Sequence, residues 1–173
     1  MQAALGPLPI DGGDWVVQHV ASAPLVVCML ADDPLAQHTE VQPSELAKRL
    51  KIFRNPEAHP EAHTHLMEML AEIGIEPDVS CLATTPADIQ WMVQSGSGLA
   101  LIDQTTILDP WLTTRPIAYR NWTADAAFVH PVCADHPALP VLIRHFRKAN
   151  GITPAMHMPR KKQANDLQMK LLA

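Results

Sequence analysis

The residues best placed to meet a ligand lie in two strand-to-helix loops. The first, Arg54-Asn55-Pro56-Glu57-Ala58-His59, joins the short apolar run Ile52-Phe53 to a helix that begins at Pro60. The second is Thr84-Thr85, just before Pro86 opens another helix. Helix N-termini carry unpaired N–H groups that favour anions, and strands of an α/β sheet deliver their C-terminal ends to the same place. At such an edge Arg54 suits a carboxylate and Thr85 can donate its hydroxyl. Each also has a plainer reading: Arg54 as a solvated surface charge, Thr85 as a simple helix cap.

Other combinations exclude more than they suggest. His59 and His63 stand four apart, so they can share one side of a helix start, a spacing that permits metal binding. No HExxH accompanies them and His65 is expected to point elsewhere, so exposed neutral histidines, no metal and no cofactor are expected. Asp103, Asp109 and Asp125 form no recognisable acid/base pair. Ser95 and Ser97 lie in an SGSG that ends a helix, the reverse polarity of a nucleophile elbow. With no glycine-rich phosphate loop either, the chain reads as a non-enzyme.

The elements that must hold these loops follow from hydrophobic period and punctuation. Strands are expected at Gln2–Leu5, Trp15–Val20, Pro24–Leu30, Ile52-Phe53, Asp78–Ala83, Leu99–Ile102, Arg115–Tyr119 and Ala126–Cys133. Helices are expected from Pro43 to Leu50, from Pro60 to Ile73, after Thr84 or Thr85 up to Gly96, and over Leu139–Ala149. Thr105–Leu108 reads as one helical turn and Arg160–Leu172 as a last helix. In the Pro60 helix, Ala62, Leu66, Met69, Leu70 and Ile73 form an apolar stripe ended by Gly74. Short strands alternating with helices predict an α/β fold with parallel pairing through crossovers.

Composition sets the class. The 173 residues suffice for one domain or two small lobes. Net charge is −5, unsuited to gripping phosphates, although Arg160, Lys161, Lys162 and Lys170 make the C-terminal segment basic. No apolar run is long enough for a membrane span, and the N-terminus lacks the pattern of a secretory signal, so a cytoplasmic protein is expected. Cys28, Cys81 and Cys133 have no metal or disulfide spacing and sit in apolar segments, which predicts buried, reduced thiols.

Several segments together resemble the effector-binding half of LysR-type transcriptional regulators. ADDPLA at Ala31–Ala36 is similar to that family's ADHPLA. Thr64–Pro77, THLMEMLAEIGIEP, resembles its helix-Gly-x-x-Pro unit. Thr84 through Val93 and on through Gly96-Ser97-Gly98-Leu99-Ala100-Leu101-Ile102 looks like its V-x-x-G-x-G-I-A-L-L stretch, although Asp103 stands where the family often has Pro. Arg115-Pro116-Ile117 and His136–Lys148 resemble its Arg-Pro-Leu and closing helix.

The resemblance implies a type II periplasmic-binding-protein-like fold, with two α/β lobes and a ligand in the cleft. Mapped onto this chain, it gives a complete second lobe over 39–123. The first lobe is incomplete, from 1–38 and 124–150, and 151–173 form a C-terminal extension. It implies that effector contacts fall at Arg54, Asn55, His59, Pro60, Ala62 and His63, with Thr84 and Thr85 as the second cleft edge. Larger side chains often stand where Ala62 does. The expected partners are a small-molecule effector, with carboxylates the candidate class, and a second copy in a homodimer. Neither direct DNA binding nor membrane association is expected, since the family's winged helix is not recognisable. The competing reading is a truncated dimerisation or interaction protein with a vestigial pocket.

Overall fold

The computed structural model describes residues 3–10, 13–133 and 136–152. The expected helix over Arg160–Leu172 lies outside them. The strands are β1 (Ala4–Pro7), β2 (Trp15–Leu30), β3 (Leu50–Arg54), β4 (Cys81–Ala83), β5 (Leu99–Asp103), β6 (Leu112–Pro116) and β7 (Thr123–Pro131). The helices are α1 (Pro43–Arg49), α2 (Pro60–Ala71), α3 (Pro86–Gln94) and α4 (Ala138–Ala149), with a 3-10 turn at Pro34–Gln37. Strand order is β1-β7-β2-β5-β3-β4, and β6 also pairs with β2.

The two strands expected at Trp15–Val20 and Pro24–Leu30 are one strand of 16 residues. Its first part, Trp15–Pro24, runs antiparallel to β7 with an irregularity between His19 and Ala21. Its second part, Leu25–Leu30, lies antiparallel to β5 and β6. Pro24 stands where β2 changes partners, a position at which a missing N–H interrupts least. Two halves of the fold therefore share β2, and the exchange falls at Pro24-Leu25, ahead of His38. The chain returns at Trp122-Thr123, where Leu25 N–H donates to the Trp122 carbonyl at 2.8 Å.

Parallel pairing is narrower than the βα alternation predicts. Among the described strands the parallel ladders are β3–β4 and β3–β5. The remaining ladders are antiparallel, because β2 and β7 come into their pairings from the opposite direction rather than through a helix crossover. The expected helical turn at Thr105–Leu108 is absent. The Asp103 carboxylate instead accepts from Thr105 N–H at 3.1 Å and from the hydroxyls of Thr105 and Thr106, giving a non-helical turn. The strand expected at Arg115–Tyr119 starts earlier and stops at Pro116, with only a single bridge beyond it, Ile117 to Val41. Tyr119 then adopts φ 59°, which no strand continues.

Side-chain alternation builds three layers in the larger half. Val27, Met29, Phe53, Leu99 and Leu101 point to one face and pack with Leu46 of α1 and Leu70 of α2. Val26, Cys28, Ile52, Ala100 and Ile102 point to the other and pack with Ile89 and Val93 of α3. In the smaller half, α4 covers one face through Ile143, Leu142 and Phe146 against Val20 and Phe128. Of the cysteines only Cys28 is buried; Cys81 is intermediate and Cys133 exposed, so the expectation of three buried thiols is corrected. Cys133 follows the end of β7, outside the strand's pairing.

Candidate functional site

A cavity of about 100 Å³ opens between the halves. One wall comes from the larger half: Ile52, Phe53 and Arg54 of β3, with His59, Ala62, His63, His65, Leu66 and Met69 of α2. Leu25, Leu101 and Ile102 close its floor, and Pro7, Leu8, Thr123, Ala124 and Asp125 form the facing wall. The parallel pairing of β3 with β5 places the C-terminal ends of both strands at this opening. Leu8 N–H donates to the Asp125 carbonyl at 2.8 Å, which holds the end of β1 against β7 and keeps the facing wall in place.

The loop from Arg54 to His59 is shaped by its own backbone. Asn55 N–H donates to Ala83 O at 2.9 Å, and the Asn55 side chain accepts from Glu57 N–H at 2.9 Å. This turn delivers His59 to the N-terminal end of α2, where its side chain makes no cap hydrogen bond and Pro60 occupies the first helical turn. Phe53 meets the His63 ring edge-on, centroids 6.4 Å apart, so β3 fixes the first turn of α2. The Arg54 guanidinium lies at the mouth and is exposed. Burial pushes the Asp103 carboxyl up, but the hydrogen bonds from Thr105 and Thr106, with a smaller contribution from the Arg54 charge, hold it below its ordinary range.

Of the eight residues singled out from sequence, the fold brings four to the cavity: Arg54, His59, Ala62 and His63. Asn55 and Pro60 support the wall without lining it. Thr84 and Thr85 do not reach it, for a local reason. Thr85 Oγ1 accepts from Asp88 N–H at 3.1 Å, while Asp88 Oδ2 accepts from Thr85 N–H at 2.8 Å and Thr84 N–H at 3.1 Å. This capping box uses the N–H groups that an anion would need. It also holds the Asp88 carboxyl below the usual range. His65, expected to point elsewhere, lines the cavity beside Met69.

The residues that sequence reasoning missed come from the smaller half and from strand interiors, above all Thr123, Ala124 and Asp125. Their only sequence signal is position at the start of a returning strand. Among the described residues, no three His, Cys, Asp or Glu side chains gather closely enough to hold a metal ion. Among the same residues, no helix is long and apolar enough to cross a membrane.

The sequence matches the LysR substrate binding domain across residues 2–151, and the chain belongs to that family. The family comprises sensing domains of transcription regulators rather than enzymes. Solved structures agree on the fold, which is periplasmic-binding-protein-like, type II. The BenM effector binding domain with its effector benzoate superposes with a TM-score of 0.69 at 21% identity, over 89% of this chain and 72% of that one. The effector binding domain of QuiR in complex with shikimate gives 0.69 at 17% identity, over 86% and 71%. The LysR family regulator CbnR gives 0.72 at 11% identity, over 86% of this chain and 52% of that one. No curated protein matches the sequence.

Proposed function

We propose that this chain senses a small anionic effector in the cleft between its halves and binds it without turnover. One observation carries the reading: Arg54, His59 and His63, from one strand-to-helix loop and the helix start, line one cavity at the N-terminal end of α2. The strand end, the helix dipole and a guanidinium converge there on the charge of a carboxylate. The effectors named for BenM and QuiR, benzoate and shikimate, are small molecules of the same order of size. A cavity of about 100 Å³ suits a single ring or short chain, being smaller than the several hundred Å³ of a drug-sized pocket.

The test is calorimetric titration with a panel of small carboxylates. Binding of at least one, weakened about tenfold or more by Arg54→Ala, supports the reading, since a charge-assisted hydrogen bond is lost. If only neutral or cationic compounds bind, indifferent to Arg54→Ala, the reading fails.

The same proposal places the protein in the cytoplasm as a homodimer. A net charge of −5 disfavours gripping phosphates, so the proposal includes no direct DNA binding by this chain. β1 pairs only with β7, leaving its outer edge unpaired among the described residues; Leu5 on β1 and Trp15 on β2, across β7, are exposed. The runner-up, an interaction protein whose pocket is vestigial, draws on a second surface. Trp91 and Trp111 are respectively 66% and 74% exposed, and aromatic side chains of this kind anchor interfaces. Sedimentation at micromolar concentration separates monomer from dimer. A stable dimer with no ligand in the panel favours the runner-up.

A further inference from the structure

We infer that the cleft selects a carboxylate that also carries a hydrogen-bond donor, a hydroxyl or an ammonium group, read by Asp125 on the wall facing Arg54. The inference rests on the sensing function proposed above and narrows its ligand.

The two walls of the cavity differ in charge. Arg54, His59, His63 and His65 line the β3–α2 side, while Thr123 and Asp125 are the polar side chains of the β7 side. Asp125 is only partly committed. Its Oδ1 accepts from the Ser22 hydroxyl at 2.5 Å. His19 Nε2 lies 3.9 Å from the same oxygen, too far for a hydrogen bond, and is itself buried without a partner. Among the described residues, Oδ2 accepts no hydrogen bond. Asp103, the acid that senses Arg54, is occupied by Thr105 and Thr106 and does not line the cavity.

With a solvent-exposed side chain, Asp125 is satisfied by water while the cleft is empty. A ligand changes that. The remaining lining is apolar, and a space of about 100 Å³ leaves little room for water beside a bound ring. A carboxylate anchored at Arg54 therefore presents its far side to the β7 wall. If that side is apolar, Asp125 loses water without replacement, and an unpaired charge in a dry site is costly. If it carries a donor, the lost water is replaced by a charge-assisted hydrogen bond. The same oxygen repels dicarboxylates, so the wall discriminates in two directions.

The experiment is titration calorimetry of the whole chain with matched pairs: benzoate against 3- and 4-hydroxybenzoate and 4-(aminomethyl)benzoate, and pentanoate against 5-aminopentanoate. The donor-bearing member of at least one pair is expected to bind about tenfold more tightly, the gain typical of one charge-assisted hydrogen bond. Asp125→Asn, which keeps an acceptor for Ser22, is expected to erase that gain for an ammonium donor and to reduce it for a hydroxyl. The variant's ligand-free melting curve checks its fold, and the wild-type pairs decide independently of the variant. Equal affinity within every pair, or a preference that survives Asp125→Asn, overturns the inference. With equal affinities that still depend on Arg54, the sensing function stands and only the donor requirement falls. If no carboxylate binds, both fall.

Discussion

Asp33 and Arg49 face each other in a two-pronged ion pair, Nη1 donating to Oδ1 at 2.9 Å and Nη2 to Oδ2. Oδ1 also accepts from Leu35 N–H at 2.9 Å and so caps the 3-10 turn. The pair ties the chain leaving β2 to the last turn of α1. Its carboxylate is buried while its guanidinium is partly exposed.

The hydrogen bond from Arg49 holds the Asp33 carboxyl below the ordinary carboxylate value. A group whose pKa is lower in the folded state stabilises the fold above its unfolded pKa, near 4, and loses that contribution as pH falls further. Asp33→Asn should therefore cost about 1.5–3 kcal/mol at pH 7, the range for hydrogen bonds to charged groups. Urea unfolding at pH 7 and at pH 3 measures it: the gap between wild type and variant should narrow at the lower pH. An equal gap at both would place the cost elsewhere.

Thr85→Ala removes the acceptor for Asp88 N–H at the start of α3. Loss of such a cap costs about 1 kcal/mol. Because the cap lies outside the cavity, ligand affinity should be unchanged. Thermal melting and calorimetry on the same sample check both halves of the statement. A lowered affinity would bring Thr85 back into the site.

Ala62 lines the cavity one helical turn before Leu66. Leucine at this position would fill much of the free space without disturbing the core, since Leu70 carries the buried side of α2. Ala62→Leu should abolish binding of any ring-sized carboxylate while leaving the melting temperature within a few degrees, as expected for a change outside the packed core. Unchanged affinity would show that the ligand sits elsewhere.

Gly98 has φ +146°, and a Cβ there would meet Arg49 O at 2.9 Å and Lys51 Cβ at 3.0 Å. The backbone of the α1–β3 connection cannot retreat without moving the start of β3. Gly98→Ala should destabilise by roughly 2 kcal/mol or more, combining strained backbone with overpacking. Denaturant unfolding measures it, and a loss under 0.5 kcal/mol would contradict the stated contact.

The larger half was legible because each of its elements carries its own punctuation. Pro43, Pro60 and Pro86 open helices, Gly74 and Gly96 end them, and short apolar runs lie between. α2 shows where this stops. Its apolar stripe was one pattern in sequence, yet Leu70 goes to the core while Ala62 and Met69 border empty space. Periodicity reports a face and not what the face meets. The β2 ladder was hidden for a similar reason: Pro24 looks like a break in sequence, and only the approach of β7 shows that the strand continues. Asp125 could not be chosen among the aspartates, because its role depends on a wall formed by the chain's return at Thr123.

The chain passes between its two halves twice among the described residues, at Pro24-Leu25 and at Trp122-Thr123, and these passages are bonded to each other. Leu25 and Thr123 also line the cavity. Whatever occupies the cavity therefore touches the crossover between the halves itself rather than a loop remote from it. From Pro24 the strand runs back to Trp15 through the irregularity between His19 and Ala21, a span of at most roughly 30 Å at the usual rise per residue. Over that lever arm a bend of about 5° displaces the half-exposed Trp15 indole by roughly 2–3 Å.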